Sequence, residues 1–306
     1  AEPAARRLRA PTTAAMTELP FEYSARPRRQ ALALPDGARV AFYIAPNIEH
    51  FPVGQPAIHL FPATLGCPPD PLNYGWRDYG VRVGLWRVAD VLAERGVPMT
   101  AAVNSAVCER YPEIVEEGVR AGWTWVCHGR DNATFQAGMD EKEERGFLSE
   151  AVDVIERATG ARPKGWLGPA LTETFNTPRL LAELGFTYVL DWSNDDEPFA
   201  LTVPGMVAVP YLSELSDITI FHIHGGSAED FTREVCAHFD RLYAEGTTRP
   251  SVMGLGVHPF LIGQPRRIAA LEQALDHILG HDDVWITTSD AVADWYQESR
   301  KQDSDA

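Results

Sequence analysis

Between residues 35 and 298 the chain alternates short apolar runs with amphipathic stretches, and this alternation limits the architectures open to it more than any other feature. The runs Arg39–Ala45, Pro98–Val103, Thr124–Cys127, Lys164–Leu167, Thr187–Leu190, Met206–Val209, Met253–Val257 and Val284–Thr287 are short. Several are rich in Val, Ile, Trp or Tyr, and Gly or Pro stands nearby, which marks them as strands. Between them the apolar spacing changes to that of helices. In Val83–Arg95, Leu85, Val88, Ala89 and Leu92 share a face, and Gly96 ends the run. Asp140 with Glu143 has the pattern of a capping box opening a helix to Thr159, closed by Gly160. Pro178 sits in the first turn of a helix ending near Leu184 with Gly185 as its stop, Pro265–Leu279 ends at Gly280, and Thr288 or Ser289 caps the last helix.

Strands alternating with helices imply a parallel sheet, either doubly wound or closed into a barrel. No Gly-rich phosphate turn follows the first strand, so a dinucleotide fold has little support. A barrel places its active site just past the C-terminal ends of the strands, and polar, titratable residues stand there. Asn47, Glu49 and His50 follow the first strand, and His128-Gly129-Arg130-Asp131-Asn132 follows the third. Gly168 and Pro169 come next, then Asp191 and Trp192 with Asp195 and Asp196, and finally His258. Any one of these alone reads as a loop or capping residue. A purely structural barrel has no reason to gather carboxylates and imidazoles at one rim, so the set points to a catalytic cleft.

Composition narrows the partners. A formal charge of −16 repels phosphate backbones and anionic lipid surfaces, which argues against nucleic acid and membrane partners. No apolar run approaches the roughly 20 residues that span a bilayer. Arg6, Arg7 and Arg9 are followed by no apolar core, so the N-terminus does not read as a signal peptide. Residues 1–34 read as an extended or disordered arm, with Met16 a candidate internal start, residues 35–298 as one barrel domain, and 299–306 as a frayed tail. The scattered Cys67, Cys108, Cys127 and Cys236 form no CxxC pair, which suits reduced thiols in a cytoplasmic protein.

Over about Arg39 to Trp295 the sequence resembles the polysaccharide deacetylase family (carbohydrate esterase family four), and most closely its allantoinase-like and cyclic-imide-hydrolase-like branch. The resemblance rests on Tyr74-Gly-Trp-Arg-Asp-Tyr-Gly80 with Arg82-Val-Gly84, on Gly165-Trp-Leu-Gly-Pro169, and on Asp191-Trp with Asp195-Asp-Glu-Pro198. Pro210-Tyr211 and His258-Pro259 with Gly263-Gln-Pro-Arg266 complete it. It implies a distorted α/β barrel, (β/α)7-8, of the polysaccharide deacetylase type, and a homo-oligomer, in some members a tetramer.

In the metal-dependent members two aspartates follow the first strand, one a base and one a metal ligand, and a His-x-x-x-His run completes the metal site. By resemblance Asn47 stands at the base position, Glu49 at the ligand aspartate, His128 at the first histidine and Asn132 at the second. A carboxamide cannot take a proton as a carboxylate does, and it is a poor zinc ligand. The resemblance therefore implies the metal-independent behaviour of the allantoinase-like branch and no cofactor. The alternative is a residual zinc or other divalent site on Glu49 and His128.

Metal-free hydrolysis of a C–N bond needs an activated water, a stabilised oxyanion and a protonated leaving nitrogen. Glu49 serves as the base if partial burial raises its pKa. His128 positions the water or shares its proton, His258 acts as acid or oxyanion partner, and Asn47 donates to the carbonyl. Which of Glu49, His128 and His258 is base and which acid stays open at this stage. Small cyclic amides, imides and ureides suit such a site, because an imide nitrogen leaves as a stabilised anion. Trp76, Arg77, Asn132, Trp166, Pro169, Asp191 and His224 are the candidate substrate contacts. Arg77 either clamps a carboxylate or carbonyl or pairs with Asp78, and Asp191 is expected to orient His258. His222 and His224 share a face if their segment is extended. The competing readings are a metal-dependent deacetylase of acetylated sugars or peptidoglycan and a catalytically inert ligand-binding barrel.

Overall fold

The computed structural model describes residues 19–55 and 57–305. Nine strands form one sheet: β1 Val40–Ile48, β2 Thr100–Val103, β3 Thr124–Cys127, β4 Gly165–Trp166, β5 Tyr188–Val189, β6 Phe199–Ala200, β7 Val207–Ala208, β8 Ser251–Val257 and β9 Val284–Ile286. The helices are α1 Pro71–Tyr79, α2 Leu85–Glu94, α3 Ser105–Arg110, α4 Pro112–Ala121, α5 Glu141–Thr159, α6 Thr177–Glu183, α7 Ala228–Glu245, α8 Pro259–Ile262, α9 Ile268–Leu279 and α10 Ser289–Asp305. The sheet runs β6-β7-β5-β4-β3-β2-β1-β8, and β9 also pairs with β1. Every pairing is parallel except β6 with β7.

The sheet curls until its ends nearly meet. The chain leaving β7 forms a single parallel bridge to β8 between Leu212 and Leu255, and the Tyr43 hydroxyl reaches across to the Pro210 carbonyl at 2.6 Å. This is the distorted barrel expected from the sequence.

Strand periodicity divides the core in two. Val40, Phe42 and Ile44 of β1, with Trp125, Cys127, Trp166, Val189, Met253 and Leu255, join the cluster under the helices. Ala41, Tyr43 and Ala45, with Val126, Leu167, Tyr188, Leu190 and Tyr211, fill the barrel interior. Three tyrosines fit because the facing positions on the sheet are glycine. A Cβ at Gly254 would collide with the Tyr43 ring, and one at Gly256 with the Tyr211 ring.

Four details differ from the sequence reading. β1 continues through Pro46 to Ile48, so Asn47 is a strand residue; Pro46 keeps its register with Val257 and does not end the strand. The helix expected from Val83 continues α1, which passes through a π-helical turn at Gly80–Gly84 before α2. Residues 19–34, the described part of the arm, form a strap held by the barrel: Phe21 packs edge-on against Trp192 and Phe199, Arg29 pairs with Asp195 at 2.6 Å, and Arg26 with Glu245 at 2.7 Å. The remainder of the arm, including Met16, lies outside the described residues. Finally, α10 runs through Asp305, past the expected boundary at 298. The Asp140–Glu143 capping box forms in both directions, and Gly160 closes its helix with φ 73°. No helix among the described residues is long and apolar enough to cross a membrane.

Candidate active site

The inward side of β1 carries Ala41, Tyr43 and Ala45, and the same alternation brings Asn47 and Glu49 inward at the rim. His128 follows inward Val126, and His258 follows Gly256 in the same way. Strand parity thus delivers four polar side chains to one mouth, where all four are buried.

On one side of the mouth, His128 Nδ1 lies 2.7 Å from the Leu167 carbonyl. A carbonyl only accepts, so Nδ1 carries the hydrogen and Nε2 is the acceptor nitrogen of the neutral ring. That nitrogen faces Glu49 Oε1 at 3.4 Å. Asn132 donates its amide hydrogen to Glu49 Oε1, and Glu49 Oε2 is buried with no protein partner. Gly129 makes the turn possible: it has φ 65°, and a Cβ there would strike Pro169 and Phe147.

On the other side, His258 Nδ1 donates to Asp217 Oδ1 at 2.7 Å. Asp217 also accepts the backbone N–H of His258 at 2.9 Å and of Ile262 at 3.2 Å, which fixes it against the start of α8. Burial opposes charge on His258, but the carboxylates of Asp217 and Glu49 outweigh it and raise the imidazole pKa above its ordinary value. His258 Nε2 lies 3.2 Å from Asn47 Nδ2 and 3.9 Å from Glu49 Oε1. Asn47 also donates to the Tyr211 hydroxyl at 3.0 Å, and its second amide hydrogen finds an acceptor in His258 Nε2 only when that ring is neutral.

Four groups of this site escaped sequence reasoning. Asp217, not Asp191, orients His258; it enters from the π-helical segment Ile218–Ile223, which gives no periodic signal. Asn104 ties the rim together, accepting the His50 N–H at 2.9 Å and donating to the His128 carbonyl and to Asn132 Oδ1. Tyr211 was visible only as part of a matched segment. Glu173 lies beside Asp191. Burial and then the neighbouring Asp191 carboxylate raise the Glu173 pKa, and burial raises that of Asp191. The Gly168 N–H at 2.6 Å steadies Asp191.

The candidate substrate contacts separate by position. Asn132 is at the centre, and Pro169 is buried over Gly129 beside His128. Trp166 is fully buried on the helix-facing side of β4, edge-on to Phe147 and Phe186, and so is core and not pocket wall. Arg77 is buried behind Asn47 and Glu49 around a small internal gap. It donates to the Ile58 carbonyl at 2.6 Å and stacks on Phe51, while Asp78 faces Arg82 at 3.8 Å. His224 is exposed, whereas His222 packs on Trp76 with centroids 5.6 Å apart. Their segment is π-helical, not extended, so a two-residue spacing puts them on different faces.

The donor set does not fit a catalytic zinc ion. Such sites take at least three imidazole, thiolate or carboxylate ligands gathered on one point; here Glu49 stands between His128 and His258, the three donor atoms do not all come within 4.8 Å of one another, and His258 is turned to Asp217 and Asn47. The third place is taken by the Asn132 amide hydrogen. Turning that carboxamide over would set its nitrogen against the Asn104 amide nitrogen, so the network fixes its direction.

A curled sheet whose rim joins a carboxylate to two oriented imidazoles has the groups that acid–base hydrolysis uses, and the proteins this chain is similar to indicate a hydrolase acting on C–N bonds. Residues 74–189 match the family model described as Polysaccharide deacetylase. The crystal structure of PuuE allantoinase is similar with a TM-score of 0.77 and 28% identity, covering 89% of this chain and 97% of that one. A probable polysaccharide deacetylase from Pseudomonas aeruginosa PAO1 is similar with a TM-score of 0.77 and 29% identity, covering 88% and 95%. A Schizosaccharomyces pombe protein provisionally named as a polysaccharide deacetylase is 27% identical over 238 residues, 71% of this chain and 73% of the relative.

Proposed function

We propose that this chain hydrolyses a ring C–N bond in a small cyclic amide, imide or ureide without a metal ion. The observation that carries the reading is the replacement of a third metal ligand by the Asn132 amide hydrogen, beside a buried Glu49 oxygen free to take a proton. The likeness to an allantoinase over most of both chains supports the choice of a cyclic ureide or imide.

In this reading Glu49 Oε2 takes a proton from water as its oxygen bonds to the ring carbonyl carbon. Protonated His258, supported by Asp217, gives its Nε2 proton to the leaving nitrogen as the C–N bond breaks. A protonated His258 has no lone pair for Asn47, which frees one Asn47 N–H for the developing oxyanion. The cycle closes when Glu49 Oε2 gives up its proton and His258 Nε2 regains one, the Glu49 carboxyl lying 3.9 Å from that nitrogen at its nearer oxygen. His128, anchored on a neutral carbonyl, orients the water and holds Glu49 in place.

The test is turnover of allantoin, hydantoin, succinimide, glutarimide, phthalimide and N-acetylated chito-oligomers, each with and without chelator. Chelator-resistant ring opening supports the reading. Chelator-sensitive release of acetate overturns it in favour of a metal-dependent deacetylase, and turnover of none of them favours an inert barrel.

A further inference from the structure

A second constellation lies far from the mouth. His277 stands in the last turn of α9 and His281 just past its end, with ring centroids 4.9 Å apart. Asp240 of α7 reaches them, its Oδ1 2.6 Å from His277 Nε2. One donor atom from each of the three residues lies within 4.8 Å of the others. Among the described residues it is the one group of three or more His, Cys, Asp or Glu gathered this way.

We propose that Asp240, His277 and His281 form a site for one divalent transition ion, of the zinc, nickel or copper class, that bridges α7 and α9. Three features beyond proximity support it. His281 Nδ1 donates to the His277 carbonyl at 2.8 Å, which leaves Nε2 as the lone-pair nitrogen aimed outward. The His281 ring is held edge-on by Phe239 and Tyr243, with centroids at 5.0 and 4.8 Å, so its direction is set before an ion arrives. The donor set of two imidazoles and a carboxylate is one zinc accepts, with water in the fourth place. Ligands on tetrahedral zinc lie about 3.3 Å apart, given metal–ligand bonds of about 2.0 Å. Small rotations of partly exposed side chains close the difference. On binding, the His277 hydrogen shared with Asp240 moves from Nε2 to Nδ1, so the ring stays neutral.

Position separates this site from catalysis. Helices in such a barrel run back from the rim to the strand starts. Asp240 lies late in α7, His277 in the last turn of α9 and His281 just after it, before β9 begins. The seven residues of β8 alone put about 20 Å between that end and the mouth. Metal content in this protein therefore does not report on the reaction.

The experiment uses the full chain, stripped with chelator and titrated with zinc against a chromophoric competitor. The expected result is one ion per chain, with the His277→Gln/His281→Gln double variant weakening binding at least about 100-fold. Glu49→Gln should bind zinc as tightly as the parent. Cobalt in place of zinc should give the intense visible bands of a four-coordinate ion in the parent and not in the double variant. No uptake by the parent, or equal uptake by the double variant, overturns the site. Loss of uptake in Glu49→Gln does so as well, by moving the ion to the mouth. Ring-opening activity is read separately, so failure of the proposed reaction leaves this result intact.

Discussion

The two imidazoles of the mouth are held by opposite kinds of partner. His128 rests its Nδ1 on the Leu167 carbonyl, a neutral acceptor, and turns Nε2 toward Glu49. His258 rests its Nδ1 on Asp217, a buried carboxylate fixed by two further backbone N–H groups. A carbonyl orients a ring without favouring its charge, whereas a carboxylate orients it and stabilises the cation. One fold thus provides, a few ångströms apart, a nitrogen suited to positioning and one suited to giving up a proton.

That contrast is most directly broken at the carboxylate both rings face. Glu49→Gln should lower kcat on a ring substrate about 1000-fold, within the range of general-base catalysis; retention of parent activity in steady-state assays would remove Glu49 as base. His258→Gln should cost about 100-fold in kcat, whereas His128→Gln, which preserves polarity and size, should raise KM more than it lowers kcat. If both substitutions act alike, the proposed division between the rings is wrong.

Asp217→Asn sharpens the comparison through pH. It removes the charge that raises the His258 pKa, so the alkaline fall of kcat/KM should begin at lower pH than in the parent. The sign for stability follows. A raised folded pKa stabilises fully below the unfolded value of about 6.5, and the contribution is lost as pH rises through the folded pKa. Melting temperatures of the parent should therefore fall more steeply than those of the variant as pH rises through that window. The smallest effect belongs to Glu173→Gln. Burial and the Asp191 carboxylate raise the Glu173 pKa and so favour its uncharged form, and an uncharged isostere should change kcat/KM less than about threefold, while Asp191→Asn should alter it more.

The parts of this molecule that sequence made legible are those that repeat. Strand–helix alternation gave the barrel, and the residues after each strand gave Asn47, Glu49, His128 and His258, which the fold brings together. What stayed hidden came from places without a period. Asp217 stands 41 residues before its partner, in a segment whose helical turn is irregular, and the same irregularity misplaced His224. Asn104 reads as an ordinary end to β2 until the loops it ties are seen. Trp166 was open to correction from parity alone. Its neighbours Gly165 and Leu167 meet the interior, so the residue between them faces the helices.

The tyrosine-filled interior has a consequence for how such a protein changes over evolutionary time. Tyr43, Tyr188 and Tyr211 and the glycines opposite them occupy the barrel to just beneath the rim, and the Tyr211 hydroxyl is where packing ends and chemistry begins. The floor is inherited as a block, since enlarging a glycine or trimming a ring disturbs its counterpart across the sheet. The rim is tied to it at Asn47, which donates to the Tyr211 hydroxyl, whereas the side chains of Glu49, His128 and His258 take their partners from the rim and its loops, so the chemistry is carried by a layer one side chain deep.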